Sequence, residues 1–393
     1  MDNVDHQVSG DLLTIFLKGH IDSANAPEVE NRITEIRGSV PHQSVVMDLQ
    51  DLQYISSAGL RIILRLRKRL PDLKLINVSQ DIYEILEMTG FTEMIEVEKA
   101  YRRLSVEGCE IIGEGANGKV YRIDRDTIVK VYMNPDALPD IKRERELARK
   151  AFVLGVPTAI PYDVVRVGEG YGSVFELLNA SSFAQILKKE PERFEEIAEM
   201  SADLLIKIHS TELNPGDMPD MRETALKWAA FLEPYLDADL FKKLYALVEA
   251  VPEDHHMLHG DYHLKNVMLQ DGEALLIDMD TLCMGHPIFE FGSVYNAYCG
   301  FSALNHENIL GFLGIDYETA GRLFKRLLEL YLKTEDEKRL QEVVDKAEIV
   351  GLTRLLRRAI RRGGLESEEG RKQIEYYKSE LQRLVPLTET LCF

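Results

Sequence analysis

The stretch Gly113-Glu114-Gly115-Ala116-Asn117-Gly118-Lys119-Val120 places the tightest limit on what this chain can fold into. Its glycines satisfy the G-x-G-x-x-G of dinucleotide-binding turns, come close to the G-x-x-x-x-G-K-[ST] of P-loops, and fully match G-x-G-x-x-G-x-V. The P-loop reading fails because Val120 stands where a magnesium-binding hydroxyl is needed. A dinucleotide turn requires a helix next. Here Lys119 to Ile123 alternates like a strand and turns through Asp124, Arg125 and Asp126 into another, Thr127 to Tyr132. A glycine flap between two antiparallel strands remains, suited to lying over phosphates through its backbone N–H groups.

Lys130 falls on the third strand of this series between apolar neighbours, where an inward ammonium needs a charged partner. The helical run Asp140 to Phe152 offers Glu144 and Glu146, and distance from Gly155-Val156-Pro157 favours Glu144. Further on, His259-Gly260-Asp261-Tyr262-His263-Leu264-Lys265-Asn266 leads into a short strand, Val267 to Leu269. An Asp271-Gly272 turn follows, then a second strand, Ala274 to Ile277, ending in Asp278; a tight hairpin of this kind returns Asp278 to Asn266. Phosphoryl transfer needs a carboxylate to orient and deprotonate the acceptor hydroxyl, and oxygen ligands to hold magnesium against nucleotide phosphates. Asp261 suits the first role, Asn266 and Asp278 the second. A lone Asp or Asn is usually a solvated surface group, but the joint spacing argues for a site.

H-G-D-x-H-x-x-N, a hairpin and then I-D-x-D resembles the aminoglycoside phosphotransferase and choline kinase superfamily over roughly residues 105 to 300. The resemblance implies an α+β, protein-kinase-like bilobal domain, with an antiparallel-sheet lobe over 106–178 and a mainly helical lobe over 179–393. It also implies ATP and Mg2+, with Gly113, Gly115, Gly118, Val120, Lys130 and Glu144 at the nucleotide and a hinge near Phe175 to Leu178 that brings Glu176 and Leu178 to the adenine. Asp261 would be catalytic, Asn266 and Asp278 would hold metal, His263 would support the loop, and Asp280 would lie near the metal. After Asp278 a protein kinase would carry a long activation segment. Instead Gly285-His286-Pro287-Ile288-Phe289-Glu290 follows within a few residues, similar to the G-x-P-x-x-D of the small-molecule kinases with Glu290 in place of Asp. A small-molecule hydroxyl is the expected acceptor.

Residues 1 to about 100 read as a separate α/β layer. Leu12 to Leu17, Ser44 to Leu49 and Leu73 to Val78 have strand character, and Ala26 to Ile36, Gly59 to Leu70 and Asp81 to Met88 have helical spacing. Ser56 and Ser57 sit where a helix N-cap is wanted. A phosphate there would face free N–H groups and the positive end of the helix dipole. Lys18-Gly19-His20-Ile21-Asp22, Ser56-Ser57-Ala58-Gly59-Leu60 and Ile76 to Ser79 resemble a STAS domain, the mixed-sheet fold of bacterial anti-sigma factor antagonists. That likeness implies a phosphorylated switch at Ser57 and a protein partner such as an anti-sigma factor. It departs from the family at Ser56, where Asp is frequent. Two further readings follow: a kinase whose acceptor is its own Ser57, and a nucleotide-loaded scaffold without turnover.

Composition narrows the remaining classes. With 47 Lys+Arg against 66 Asp+Glu the formal charge is −19, the wrong sign for gripping a nucleic-acid backbone. Apolar runs stop at about five residues, against the roughly 20 that span a bilayer, and Met1 to Asp5 lack the basic start of a signal peptide, so neither membrane nor export is expected and the location should be cytoplasmic. Cys109, Cys283, Cys299 and Cys392 lie far apart and should be reduced. Arg354, Arg357, Arg358, Arg361 and Arg362 share one helix face, which suggests a solvated or salt-bridged surface, a grip on an anionic substrate group, or a dock for the acidic N-terminal domain.

Overall fold

Leu13, Ile15 and Leu17 recur at every second position and all are buried, so their strand has one face on a core and one outward. In the computed structural model this strand, β2 (Leu12–Ile21), pairs antiparallel with β1 (Val4–Ser9) and parallel with β3 (Ser44–Ile55). β4 (Lys74–Val78) and β5 (Glu96–Lys99) extend the parallel part, giving the order β1-β2-β3-β4-β5. Parallel neighbours need crossovers, supplied by α1 (Ala26–Ser39), α2 (Ser57–Arg69) and α3 (Gln80–Met88), with the short α4 (Phe91–Met94) before β5. Ile33, Ile62, Ile63 and Leu86 of these helices join Met47 and Leu75 of the sheet in one core.

β3 runs on to Ile55 rather than stopping near Leu49, because Lys18 to Ile21 continue the ladder with Asp51 to Ile55 through two register shifts. The polar edge strands β1 and β5 are absent from the sequence reading, since an edge needs backbone pairing more than an apolar face. The described residues are 3–115, 118–134 and 136–393, and they divide into two units meeting between Leu104 and Ser105. Ala116 and Asn117 of the glycine flap, and Met1 and Asp2, lie outside them.

The second unit opens with an antiparallel sheet of β6 (Glu110–Glu114), β7 (Gly118–Arg122), β8 (Thr127–Tyr132), β9 (Pro161–Val167) and β10 (Gly170–Glu176), in the order β6-β7-β8-β10-β9. α5 (Leu138–Val153) interrupts it between β8 and β9, with Ile141, Leu147, Ala148 and Ala151 on its buried face. β11 (Ser181–Ser182), α6 (Phe183–Lys189), α7 (Phe194–His209), α8 (Met221–Phe231) and α9 (Ala238–Glu249) follow. Four short strands then carry the motif region: β12 (Met257–Leu258), β13 (Val267–Gln270), β14 (Glu273–Leu276) and β15 (Cys283–Met284). The chain closes with α10 (Pro287–Tyr298), α11 (Glu307–Leu313), α12 (Tyr317–Leu332), α13 (Glu337–Arg361) and α14 (Glu368–Leu384). α10 is apolar on almost every face and is buried among the other helices. Among the described residues no helix is long and apolar enough to cross a membrane. The four cysteines are free thiols.

Candidate active site

The glycine flap joins β6 to β7, and its two ends differ in why they are glycine. A Cβ on Gly118 would run into the carbonyl oxygen of Val131 on β8, so the sheet itself requires glycine there. Gly115 has open space where a Cβ would stand, and Gly113 meets only Val120 at 3.6 Å. Those two are free of steric demand from the described protein and line a cavity of about 850 Å³. Val120 and Ile128 line it from β7 and β8, and Phe175, Glu176, Leu177 and Leu178 line it where β10 leaves the sheet. Glu176 accepts a long bond from the Ile160 N–H at 3.4 Å through its carboxylate.

Lys130 projects from β8 into the same cavity. Its Nζ lies 2.9 Å from Glu144 Oε1 and 2.8 Å from Asp278 Oδ1, so one ammonium joins α5 to the segment that follows β14. Burial works against the charge, but Glu144 and Asp278 outweigh it and hold the lysine above its ordinary pKa. Glu144 is 3% exposed and also accepts from the Tyr132 hydroxyl, whereas Glu146 faces solvent beside Arg149.

Asp261 follows Gly260, whose φ of +80° and close approach to Thr281 O leave no room for a side chain. The loop is held at several points. Glu290, fully buried at the first turn of α10, accepts from the N–H groups of His259 (2.5 Å) and Gly260 (3.0 Å). Burial opposes its ionisation, yet His209, with Nε2 3.7 Å away, and the loop donors keep its pKa low. Ser293 Oγ donates to Gly260 O at 2.9 Å, and Arg354 Nη1 adds a bond to the same oxygen at 3.2 Å. The Asp261 carboxylate stays 44% exposed toward the cavity, with His263 Nε2 at 3.6 Å. Burial would raise its pKa, but His263, Arg354 and His259 bring it down to about 2. His263 rests edge-on against Phe312.

Asn266 donates from Nδ2 to Asp261 O at 3.0 Å, and its main-chain carbonyl accepts from Ile277 N–H at 3.0 Å across the hairpin. The Asp271-Gly272 turn has φ of +51° and +83°, as a two-residue hairpin loop requires. Asp278 takes a left-handed conformation (φ 62°, ψ 64°), which costs a non-glycine residue about 1–3 kcal/mol and is typical of strained functional positions. Asp280 faces the cavity with no salt-bridge partner among the described residues. Burial first, then Asp278, push its pKa up to about 6 against the pull of Lys130.

These oxygens fit a magnesium ion. Asn266 Oδ1 has no protein donor among the described residues, and the mutual repulsion of Asp278 and Asp280 is what a dication relieves. No group of three or more His, Cys, Asp or Glu surrounds one point among the described residues. That suits magnesium, which takes one or two carboxylates and fills its shell with phosphates and water.

Gly113, Gly115, Gly118, Val120, Lys130, Glu144, Glu176, Leu178, Asp261, Asn266 and Asp278 therefore share one cavity. Ser57 belongs to the first unit, at the opening of α2, exposed, while Ser56 is the N-cap that accepts from Gly59 N–H at 3.5 Å. Sequence reasoning missed the bonds from Glu290 to the loop and the closing of the cavity by Arg354 and Arg358. Pro287 followed by an acid in the first helical turn was the available signal for Glu290; the arginines carried only their spacing.

Residues 108–324 match the phosphotransferase enzyme family, and residues 3–104 match the STAS domain. The chain is 35% identical over 103 residues to Bordetella bronchiseptica BtrV, provisionally named an anti-sigma factor antagonist, covering 25% of this chain and 82% of that one. It is 29% identical over 92 residues to the anti-sigma-B factor antagonist of Listeria monocytogenes, covering 22% and 80%. A thermostable mutant of the aminoglycoside phosphotransferase APH(4)-Ia, solved with ADP and hygromycin B, superposes with a TM-score of 0.51 at 12% identity, covering 72% of this chain and 94% of that one. At that identity the likeness is one of fold.

Proposed function

Because the chain belongs to the phosphotransferase enzyme family, we propose that its second unit transfers the terminal phosphoryl group of ATP to a hydroxyl of a small molecule, and that its STAS domain is a regulatory or docking module. We assign residues 1–100 to that module, 106–178 to the nucleotide lobe and 179–393 to the acceptor lobe. One observation carries the reading: the glycine flap, Lys130, Asp261, Asn266 and Asp278 line a single cavity.

The flap covers the phosphates through backbone N–H groups while Lys130, kept charged by Glu144, pairs with them. Glu176 and Leu178 border the base. Asn266 and Asp278, with Asp280 beside them, would hold Mg2+, which supplies positive charge against the phosphate oxygens. Asp261 accepts a hydrogen bond from the acceptor hydroxyl and points its oxygen at the phosphorus. A carboxylate with a pKa near 2 is a weak base, so its contribution is mainly orientation, with the proton moving late as the new O–P bond forms and the bond to ADP breaks.

A second acceptor is supported by the exposure of Ser57 beside a separate capping serine. One assay with labelled ATP separates the two. Asp261→Ala is expected to lose transfer by at least about 10²-fold, as removal of a positioned acid–base group does, with nucleotide affinity retained; undiminished transfer refutes the assignment. Equal self-labelling of wild type and Ser57→Ala removes Ser57 as an acceptor.

A further inference from the structure

The acceptor end of the cavity is built by α10, α11 and α13, which contribute Ser293, Asn296, Phe312, Arg354, Leu355 and Arg358. Six carboxylates line the cavity: Glu114, Glu144, Glu176, Asp261, Asp278 and Asp280. None belongs to those three helices. The charge that these three helices present to the cavity, through Arg354 and Arg358, is cationic.

Arg354 and Arg358 stand one turn apart on the cavity side of α13. Among the described residues neither has a carboxylate within 4.0 Å, in contrast to Arg326, Arg339 and Arg383, each paired with glutamate. Arg354 is positioned by Nη1, which bonds Gly260 O and Ser293 Oγ (3.0 Å), and its guanidinium lies 5.5 Å over the Trp228 ring. Its remaining donors have no protein acceptor among the described residues. Arg358 is exposed and lies 6.0 Å from the Phe301 ring, close enough to Asp261 for the two charges to act on one another. The partial withdrawal of its guanidinium from water, with the charges of Arg362 and Arg354, lowers its pKa, a cost that a bound anion would offset.

We propose that the acceptor is an anionic hydroxyl compound, bearing a carboxylate or phosphate that Arg358, with Arg354, holds while Asp261 faces the hydroxyl. This rests on the phosphotransferase reading and names its substrate class. A guanidinium fork matches both anions in shape and charge. A polyamine acceptor such as an aminoglycoside would meet like charge from α13 and no counter-charge from the acceptor helices.

The test uses the full chain saturated with AMP-PNP and magnesium, so that the nucleotide subsite is closed to anions. Glycerol 3-phosphate, glycerate, glycerol and kanamycin are titrated into wild type and Arg358→Gln by calorimetry. Arg358 is chosen because Arg354 also supports the Asp261 loop, and a melting curve checks that the variant is folded. One of the two anions is expected to bind saturably, with glycerol and kanamycin at least about tenfold weaker, and Arg358→Gln should weaken that anion by about tenfold without changing AMP-PNP affinity. The ranking of glycerol 3-phosphate against glycerate tells phosphate from carboxylate. Tighter binding of kanamycin than of either anion, binding of neither anion, or equal anion affinity in the variant overturns the proposal. Failure of AMP-PNP itself to bind sinks the phosphotransferase reading instead, and the same titrations without nucleotide still judge the arginines.

Discussion

At the head of α10, His286 accepts a bond from Ile288 N–H through Nδ1 at 3.1 Å, in a place usually given to Ser, Thr, Asp or Asn. Only a neutral ring can accept there. Burial lowers its pKa below the ordinary 6.5; Asp254 opposes this, while His209 and Lys346 reinforce it. A base depressed in the folded state takes its proton more readily once unfolded, so this stability is complete above pH 6.5 and is lost as pH falls through the folded value. The melting temperature of the second unit should therefore drop between about pH 7.5 and 5.5, and drop less in His286→Asn, which keeps a capping oxygen. The cap bond is about 1 kcal/mol, or roughly 2–4 °C for a unit of this size. Parallel drops in the two proteins would clear His286 as the source. At this level the sequence is least readable. Glu290 looks like a departure from the G-x-P-x-x-D pattern, and only the packing of α10 behind the loop shows both of its oxygens holding the His259 and Gly260 amides.

The flap between β6 and β7 offers a contrast within one element. Gly118 is glycine because β8 is against it, so Gly118→Ala should force the strands apart at a cost of about 1–3 kcal/mol. Gly115 has open space where a Cβ would stand, so Gly115→Ala should alter stability by no more than about 0.5 kcal/mol while raising the KM for ATP if phosphates lie on that backbone. Thermal melts of both variants, together with an ATP titration of Gly115→Ala, check this; unchanged KM would mean the phosphates rest elsewhere. The strand after the flap is legible because period-two alternation is local, and so is the hairpin that returns Asp278 to Asn266, since Asp271-Gly272 dictates its own turn. β1 and β5 are not, because each sets only one valine, Val4 or Val97, against the core and pairing with the neighbouring strand decides their state.

Two units with separate cores should unfold as separate transitions. In calorimetry of the full chain, AMP-PNP with magnesium at about 100 times its Kd should raise the transition of the second unit by roughly 2.7 kcal/mol, with the STAS transition unmoved. A single transition, or an equal shift of both, would contradict independent folding. The two family resemblances, over residues 1 to about 100 and roughly 105 to 300, could be read from short motifs, because a helix cap, a glycine flap and a hairpin are specified by neighbours a few positions apart. The clustering of Asp261, Asn266 and Asp278 has the same local origin. That Lys130 bridges α5 to Asp278, that Glu290 supports the loop, and that Arg354 and Arg358 close the cavity depend on pairs far apart along the chain. Such pairs have no period or spacing. Their meeting is set by how buried helices pack, and that is a property of the whole core rather than of any stretch of sequence.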